Sequence, residues 1–426
     1  MVGVLKDLKR AKDDVERVDR IRLLEELKSA VSAAQARETV GFAASQKGAQ
    51  VDAGVRSHDV GKGVAAQVAL AKRESPARAR RYVGWAQILT TELPETLTAL
   101  WDGRITEWRA QIVARETGWL WAEHRSAVDR ELGPRLEGLG DRQTEAEAKK
   151  LAYRLDPHGY LARQANAEKD RRVTLRPAPD AMTILSGLLP VAQGVAVIAA
   201  LGRSADSLRS EGDERSRGQI MADTLVERVT GQATASAPGV EVKLVMTDQT
   251  LWNYGEGSHE PAQVQGFGPI PAELARRIAR TSVEAAGLWL RRLYTHPDTG
   301  RLVAMESRMR RFEGGLAEFL IVRDQICRTP WCDAPVRHGD HVTPSEHGGP
   351  TSEVNGQGLC EACNHAKTAI GWRARPGPAG AGEHVETITP TGHIYHSRAP
   401  DPPGSRTRDC PECDELLHRV ELRAAS

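Results

Sequence analysis

Residues Arg323–Trp372 read RDQICRTPWCDAPVRHGDHVTPSEHGGPTSEVNGQGLCEACNHAKTAIGW, and this stretch decides how the chain is understood. Cys327 and Cys332 form one close pair, C-x4-C, and Cys360 and Cys363 form a second, C-x2-C. All six cysteines of the chain fall in its last hundred residues, with Cys410 and Cys413 as a third pair. A secreted disulfide framework spreads its cysteines through the domain it staples, whereas close pairs point to a metal. Four thiolates in this order suit a closed tetrahedral Zn2+ site. A unit of this size buries too little apolar surface to hold itself together. Structural zinc contributes an apparent ~10–16 kcal/mol in finger peptides and would fix it.

Between the two cysteine pairs, a short strand is expected over Val336–Val342, ending on Asp340-His341. A loop with His347-Gly348-Gly349-Pro350 follows, then Asn355 and the second cysteine pair. Asn364 comes directly after Cys363 and opens a short helix that carries Lys367 and ends near Gly371.

Strand, loop, strand and helix around such residues resemble the ββα-metal module of the HNH endonucleases. The chain also resembles actinobacterial HNH-signature proteins that carry a large N-terminal domain of unknown function. The stretches LPETLTALWDGRITEWRAQ, GFGPIPAELAR, RDQICRTPWCDAPVRHGDHV, LCEACNHAKTAIGW and TGHIYHSRAP carry that resemblance. It implies His341 as general base, Asp340 and Asn364 as ligands of a catalytic divalent ion, and Asn355 as the residue holding the His-bearing loop. Many relatives have His where this chain has Asn364, and His365 stands one place on as a substitute.

The chemistry of the residues agrees with what the resemblance implies. Phosphodiester hydrolysis needs a deprotonated water, and an imidazole with pKa ~6.5 suits that task. Asp and Asn oxygens favour Mg2+ or Mn2+ over zinc at this second site. Lys367 reads as a phosphate contact or as a solvated lysine. The stretch from Arg276 to Arg323 holds ten arginines against five acids, Arg310 and Arg311 among them. That is either a surface tracking nucleic-acid phosphates or a solvated helix face.

Working outward, the expected class is α+β: a mostly helical N-terminal region, an α+β middle and the zinc-stapled module. The expected divisions are a charged helix over 1–48, a domain over 49–315, the module over 316–376 and a loosely structured tail over 377–426. The first helix carries an apolar stripe, Leu24, Leu27, Val31 and Ala34, that would dock on the next domain. Val64–Ala86 reads as two helices meeting at Glu74-Ser75-Pro76, with Arg78, Arg80 and Arg81 on the second. That layout fits a helix-turn-helix and equally any αα-corner. A hairpin is expected over Arg172–Arg176 and Met182–Leu185. Two helices, Val191–Leu208 and Ser216–Val229, follow it, then a strand over Val240–Met246. A second hairpin brackets His296–Gly300, and Ser258–Gly268 reads as a loop. In the tail, His393 and His396 could join Cys410 and Cys413 around a second zinc, or those thiols stay free.

The net charge is +1, so global charge argues for no particular partner. No apolar run approaches a membrane span, and the N-terminus lacks a secretory h-region, so a cytoplasmic protein is expected. Two function classes remain: a metal-dependent endonuclease acting on DNA, or a catalytically inactive zinc-knuckle protein that binds nucleic acid.

Overall fold

The computed structural model describes Leu5 and residues 9–234, 243–284, 314–377 and 384–401. Helix α1 (Asp14–Asp52) starts where the Asp13 carboxylate accepts a hydrogen bond from the Glu16 N–H, an N-cap. Its buried face differs from the expected stripe. Leu24, Leu27 and Val31 are exposed, while Ser29, Ser32, Ala33, Ala36, Thr39 and Ala43 are buried. Small side chains let α1 approach its neighbours closely, and Leu-sized ones on that face would hold it off.

Helices α2 (Val64–Lys72) and α3 (Pro76–Glu92) form the expected corner. Ser75 caps α3 through the Arg78 N–H, with Pro76 in the first turn. Helices α4 (Pro94–Trp101), α5 (Glu107–Thr117), α6 (Ala122–Leu132), α7 (Asp141–Leu155) and α8 (Pro157–Ala167) complete the helical region. The core gathers Ala33 and Ala36 of α1 with Leu89, Leu93, Leu100, Val113, Leu132 and Leu151. Helix α1 packs on α3 and α4, which lie under its small-residue face.

One polar group in this core has a defined task. Helix α4 starts directly after α3, and its N-cap position is Leu93, which has no capping side chain. Asp129 of α6, fully buried, reaches across and accepts from Glu95 N (2.7 Å), Thr96 N (3.0 Å) and Thr96 Oγ1 (2.5 Å). It satisfies first-turn donors that a local cap would ordinarily take. Burial raises the carboxyl above its ordinary value, against the pull of those donors.

The middle region has strands β1 (Arg172–Ala178) and β2 (Met182–Leu188), paired antiparallel from Arg172↔Leu188 to Ala178↔Met182. Helices α9 (Val191–Ser210) and α10 (Arg217–Thr230) pack on each other through Leu201, Ala205 and Ile220. Strand β3 (Leu244–Val245), helix α11 (Asp248–Trp252), strands β4 (Ala262–Val264) and β5 (Gly268–Ile270) and helix α12 (Ala272–Glu284) follow. Ser258–Gly268, read as a loop, thus contains β4 and enters β5, in a sheet of order β3-β4-β5. Ala262 and Ile270 are buried there with Ala275, which gives these short strands a core to pair over. The hairpin around His296–Gly300, with Arg310 and Arg311, lies outside the described residues.

Helix α13 (Gly314–Asp324), the hairpin β6 (His338–His341) and β7 (Gly356–Leu359), and helix α14 (Glu361–Lys367) form the C-terminal module. Strands β8 (Arg373–Pro376), β9 (His384–Ile388) and β10 (Ile394–Arg398) then build an antiparallel sheet of order β10-β9-β8. The loose tail expected after Pro376 is therefore corrected over 384–398, where Val385 is buried and both neighbours of β9 are hydrogen-bonded to it. Cys410 and Cys413 lie outside the described residues.

The Asp129 cap predicts a measurable loss. Asp129→Ala removes the acceptor for two backbone N–H groups and one hydroxyl, and should cost ~2–3 kcal/mol in denaturant unfolding. A change under ~0.5 kcal/mol would show that the α4 start is satisfied in another way.

Candidate functional site

The cysteine pairs converge as their spacing requires. Cys327 lies just after α13, Cys332 ends a turn in which Trp331 takes φ 60°, and Cys360 is the N-cap of α14, accepting from Cys363 N. All four are buried and unpaired as disulfides, and their Sγ atoms lie within 4.8 Å of one another. Cys332 Sγ and Cys360 Sγ are 3.7 Å apart. A tetrahedral ion with Zn–S about 2.3 Å has sulfur–sulfur edges of about 3.8 Å, so the donor set fits zinc in geometry as well as chemistry. Hydrogen bonding among the crowded thiols lowers Cys327 to about 7 and pushes Cys332 and Cys363 up, since each ionised sulfur opposes the next.

Beside this cluster lies an ionic centre that the sequence did not reveal. Asp324, the last residue of α13, is fully buried. It pairs with Arg323 (Nε–Oδ1 2.7 Å, Nη2–Oδ2 3.0 Å) and with Arg328 (Nη1–Oδ1 3.0 Å), and accepts from Gly358 N at 2.6 Å. Arg323 also donates to Glu353 O (2.6 Å) and Gly356 O (2.8 Å), and Arg328 to Ser397 O (3.3 Å). One carboxylate thus ties α13, the first cysteine turn and β7 together, and Arg328 extends the link to β10. In the sequence, Arg323-Asp324 looks like two more solvated charges. The signal is its place directly before a cysteine turn, in one of the stretches carrying the family resemblance.

The β6–β7 register sets Asp340 opposite Gln357 and His341 opposite Gly356. Successive strand residues face opposite ways, and the partners follow that rule. The Asp340 carboxylate meets Lys367 Nζ of α14 at 2.5 Å and Gln357 Nε2 at 3.4 Å. Lys367 also donates to the His341 carbonyl. The expected phosphate contact by Lys367 is thereby corrected: its ammonium is engaged by Asp340 and half-buried.

The His341 ring is buried, and its Nε2 bonds Thr351 Oγ1 at 2.8 Å. Burial lowers its pKa, Asp340 raises it and Lys367 lowers it again, with a net downward shift. The loop from His341 to β7 is pinned by Asn355. Its Oδ1 accepts from Thr343 N (2.8 Å), and its Nδ2 donates to Thr343 O (3.0 Å) and Pro350 O (2.8 Å). Gly349 packs so closely on this loop that a Cβ would lie 1.9 Å from Thr343 O, so no other residue fits there.

Asn364 is half-buried on α14, and its N–H donates to Cys360 O at 3.0 Å. His365, its suggested substitute, lies on another face and lines a groove with His58 and Lys62. His393 bonds Thr391, and His396 lies 3.9 Å from Glu386. Three positions apart on extended chain, the two imidazoles face opposite ways and do not converge on one ion. Thr351 and Gln357, like Asp324, stay hidden in the sequence because a hydroxyl or amide in a Gly-rich loop carries no pattern of its own.

A cluster of four thiols beside an Asp-His strand end defines a metal-stapled module of nuclease type. The HNH endonuclease family matches residues 325–369, so an HNH endonuclease domain is present. A family described as a domain of unknown function (DUF222) matches residues 22–324, most of the chain, and the chain belongs to that family. It is 34% identical over 137 residues to the uncharacterized protein Rv3776 of Mycobacterium tuberculosis, covering 32% of this chain and 24% of that protein. It is 32% identical over 154 residues to the uncharacterized protein Rv2100 of the same organism, covering 35% of this chain and 25% of that protein. The chain thus spans about a quarter of the length of these relatives. No solved structure matches. No helix among the described residues is long and apolar enough to cross a membrane.

The thiol cluster predicts that protein purified without added metal carries one tightly held zinc per chain. Cys360→Ser should lose it and render residues 325–369 sensitive to protease, since binding and folding of so small a unit are linked. Zinc-free wild-type protein with a protected module would refute the assignment.

Proposed function

We propose that the chain is a metal-dependent endonuclease that hydrolyses DNA phosphodiester bonds, with structural zinc on Cys327, Cys332, Cys360 and Cys363. The observation that carries this reading is the end of β6. There His341, buried and held by Thr351, follows Asp340 on a loop fixed by Asn355. A base that must take a proton from water needs a neutral imidazole in a set orientation, and the net lowering of the His341 pKa supports that state near pH 7.

In this reading His341 accepts the proton of the attacking water. Asn355 keeps the loop, and with it the ring, from drifting. Asp340 and Asn364 offer a carboxylate and an amide oxygen, a donor set suited to a hard cation such as Mg2+ or Mn2+. When bound, such an ion neutralises charge on the scissile phosphate and the departing oxygen. Lys367 balances the Asp340 carboxylate in the present arrangement.

That ion pair also favours a second reading, a nucleic-acid binder without catalysis. The Lys367 ammonium occupies the carboxylate oxygen that a catalytic cation would use.

Variants separate the two. His341→Ala should lower plasmid nicking by ~10²–10⁴-fold while leaving zinc content and DNA affinity near wild type. Asp340→Ala should lose activity that raised Mn2+ partly restores, because added metal refills a weakened site but replaces no proton acceptor. Equal nicking by wild type and His341→Ala would assign the activity to a contaminant and leave the binder reading standing.

A further inference from the structure

Helix α14 has a second face. Ala362, His365 and Ala366 lie roughly half a turn around the helix from Lys367, at 3.6 residues per turn. They line one side of an open groove of about 350 Å³. The other side comes from the helical domain: His58, Lys62 and Arg80, with Asp59. The domains are joined here. Gly63 (φ 80°) packs so closely on Trp372 that a Cβ would lie 2.5 Å from the indole nitrogen. Gln67 Oε1 accepts from Thr391 Oγ1 at 3.2 Å.

The groove is basic and its floor is low. Its one carboxylate, Asp59, is shared by Lys62 (3.8 Å) and His58 (3.3 Å). Arg80 is exposed and has no ion pair among the described residues. Gly61, Gly63, Ala66 and Ala366 present little side chain, so a ligand can approach between the cations. Two permanent cations with two imidazoles over a small-residue floor suit a phosphodiester backbone, which is recognised by charge rather than by base.

We propose that this groove binds the sugar-phosphate backbone of the DNA strand beside the cleavage site, with Lys62 and Arg80 as phosphate contacts. The proposal rests on the endonuclease reading and gives the helical domain a part in it. A helix with its side chains is ~10–12 Å across. Phosphates advance about 3.4 Å along the axis per nucleotide of one strand. The groove then engages a position about three nucleotides from the bond met by Asp340 and His341, so the substrate is a strand that spans both domains.

The test is binding of an unselected 30-base-pair duplex, followed by fluorescence anisotropy at several salt concentrations. The full chain carries His341→Ala so that the duplex stays intact. Adding Lys62→Ala and Arg80→Ala should weaken binding ~10-fold or more near 0.1 M salt. It should also reduce the slope of log affinity against log salt by ~1.8, since each phosphate neutralised by the protein adds about 0.9 to it. Arg80→Ala alone, on an exposed helical position, should remove ~0.9 and guards against misfolding of the double variant. Arg78→Ala, on the same helix but outside the groove, should leave the slope unchanged. An unchanged slope in the double variant, with the parent still binding, overturns the groove and leaves the endonuclease reading intact. A parent that binds no DNA at any salt overturns both.

Discussion

The C-terminal module depends on the buried carboxylate of Asp324. Taking an acid and two guanidinium groups out of water is costly, and is tolerated only where nearly every charge and lone pair finds a partner. Asp324 meets that condition with Arg323, Arg328 and the Gly358 N–H. Its position is what matters for function. The cluster fixes β7, the strand against which His341 and Asp340 are registered, to the helix before it and to the cysteine turn. Through Arg323 it also holds the Glu353 carbonyl, two residues before the loop-pinning Asn355. The boundary between the two matching families, at residues 324 and 325, runs through this cluster, so neither part is structurally complete without the other.

What the sequence reveals and what it hides divide along physical lines. Metal ligands declare themselves by residue type at close spacing, and the four cysteines are readable without any fold. Asp340-His341 at a strand end and Asn355 in the loop are legible for the same reason, on the resemblance that names them. Asp324 is hidden because a buried ion pair and a solvated one look alike in one dimension. Helix α1 misleads in the opposite sense. Its conspicuous leucines face solvent, while Ala33, Ala36 and Ala43 make the close approach, and only the neighbours decide which stripe is buried. The β8–β10 sheet is obscured by the glycines and prolines around it. Its strands gain stability by pairing and by joining Arg328 and Trp331 of the module, through Ser397 and Tyr395.

The helical domain is more than a neighbour to the module. Segments some three hundred positions apart meet where Gly63 accepts the Trp372 indole and Gln67 meets Thr391. A substitution in α2 can therefore alter the module without touching a metal ligand. The basic groove formed at that seam supplies a physical reason for the two domains to travel in one chain: one offers the reactive strand end, and both offer cations to the backbone.

The central claim is that this chain cuts DNA with a divalent cation at Asp340 and His341. Conversion of supercoiled plasmid to nicked or linear form by the zinc-loaded full chain tests it most directly. The account predicts no conversion without added cation, and conversion when Mg2+ or Mn2+ is supplied. Intact plasmid under every cation tried, with zinc bound and the chain folded, would contradict it.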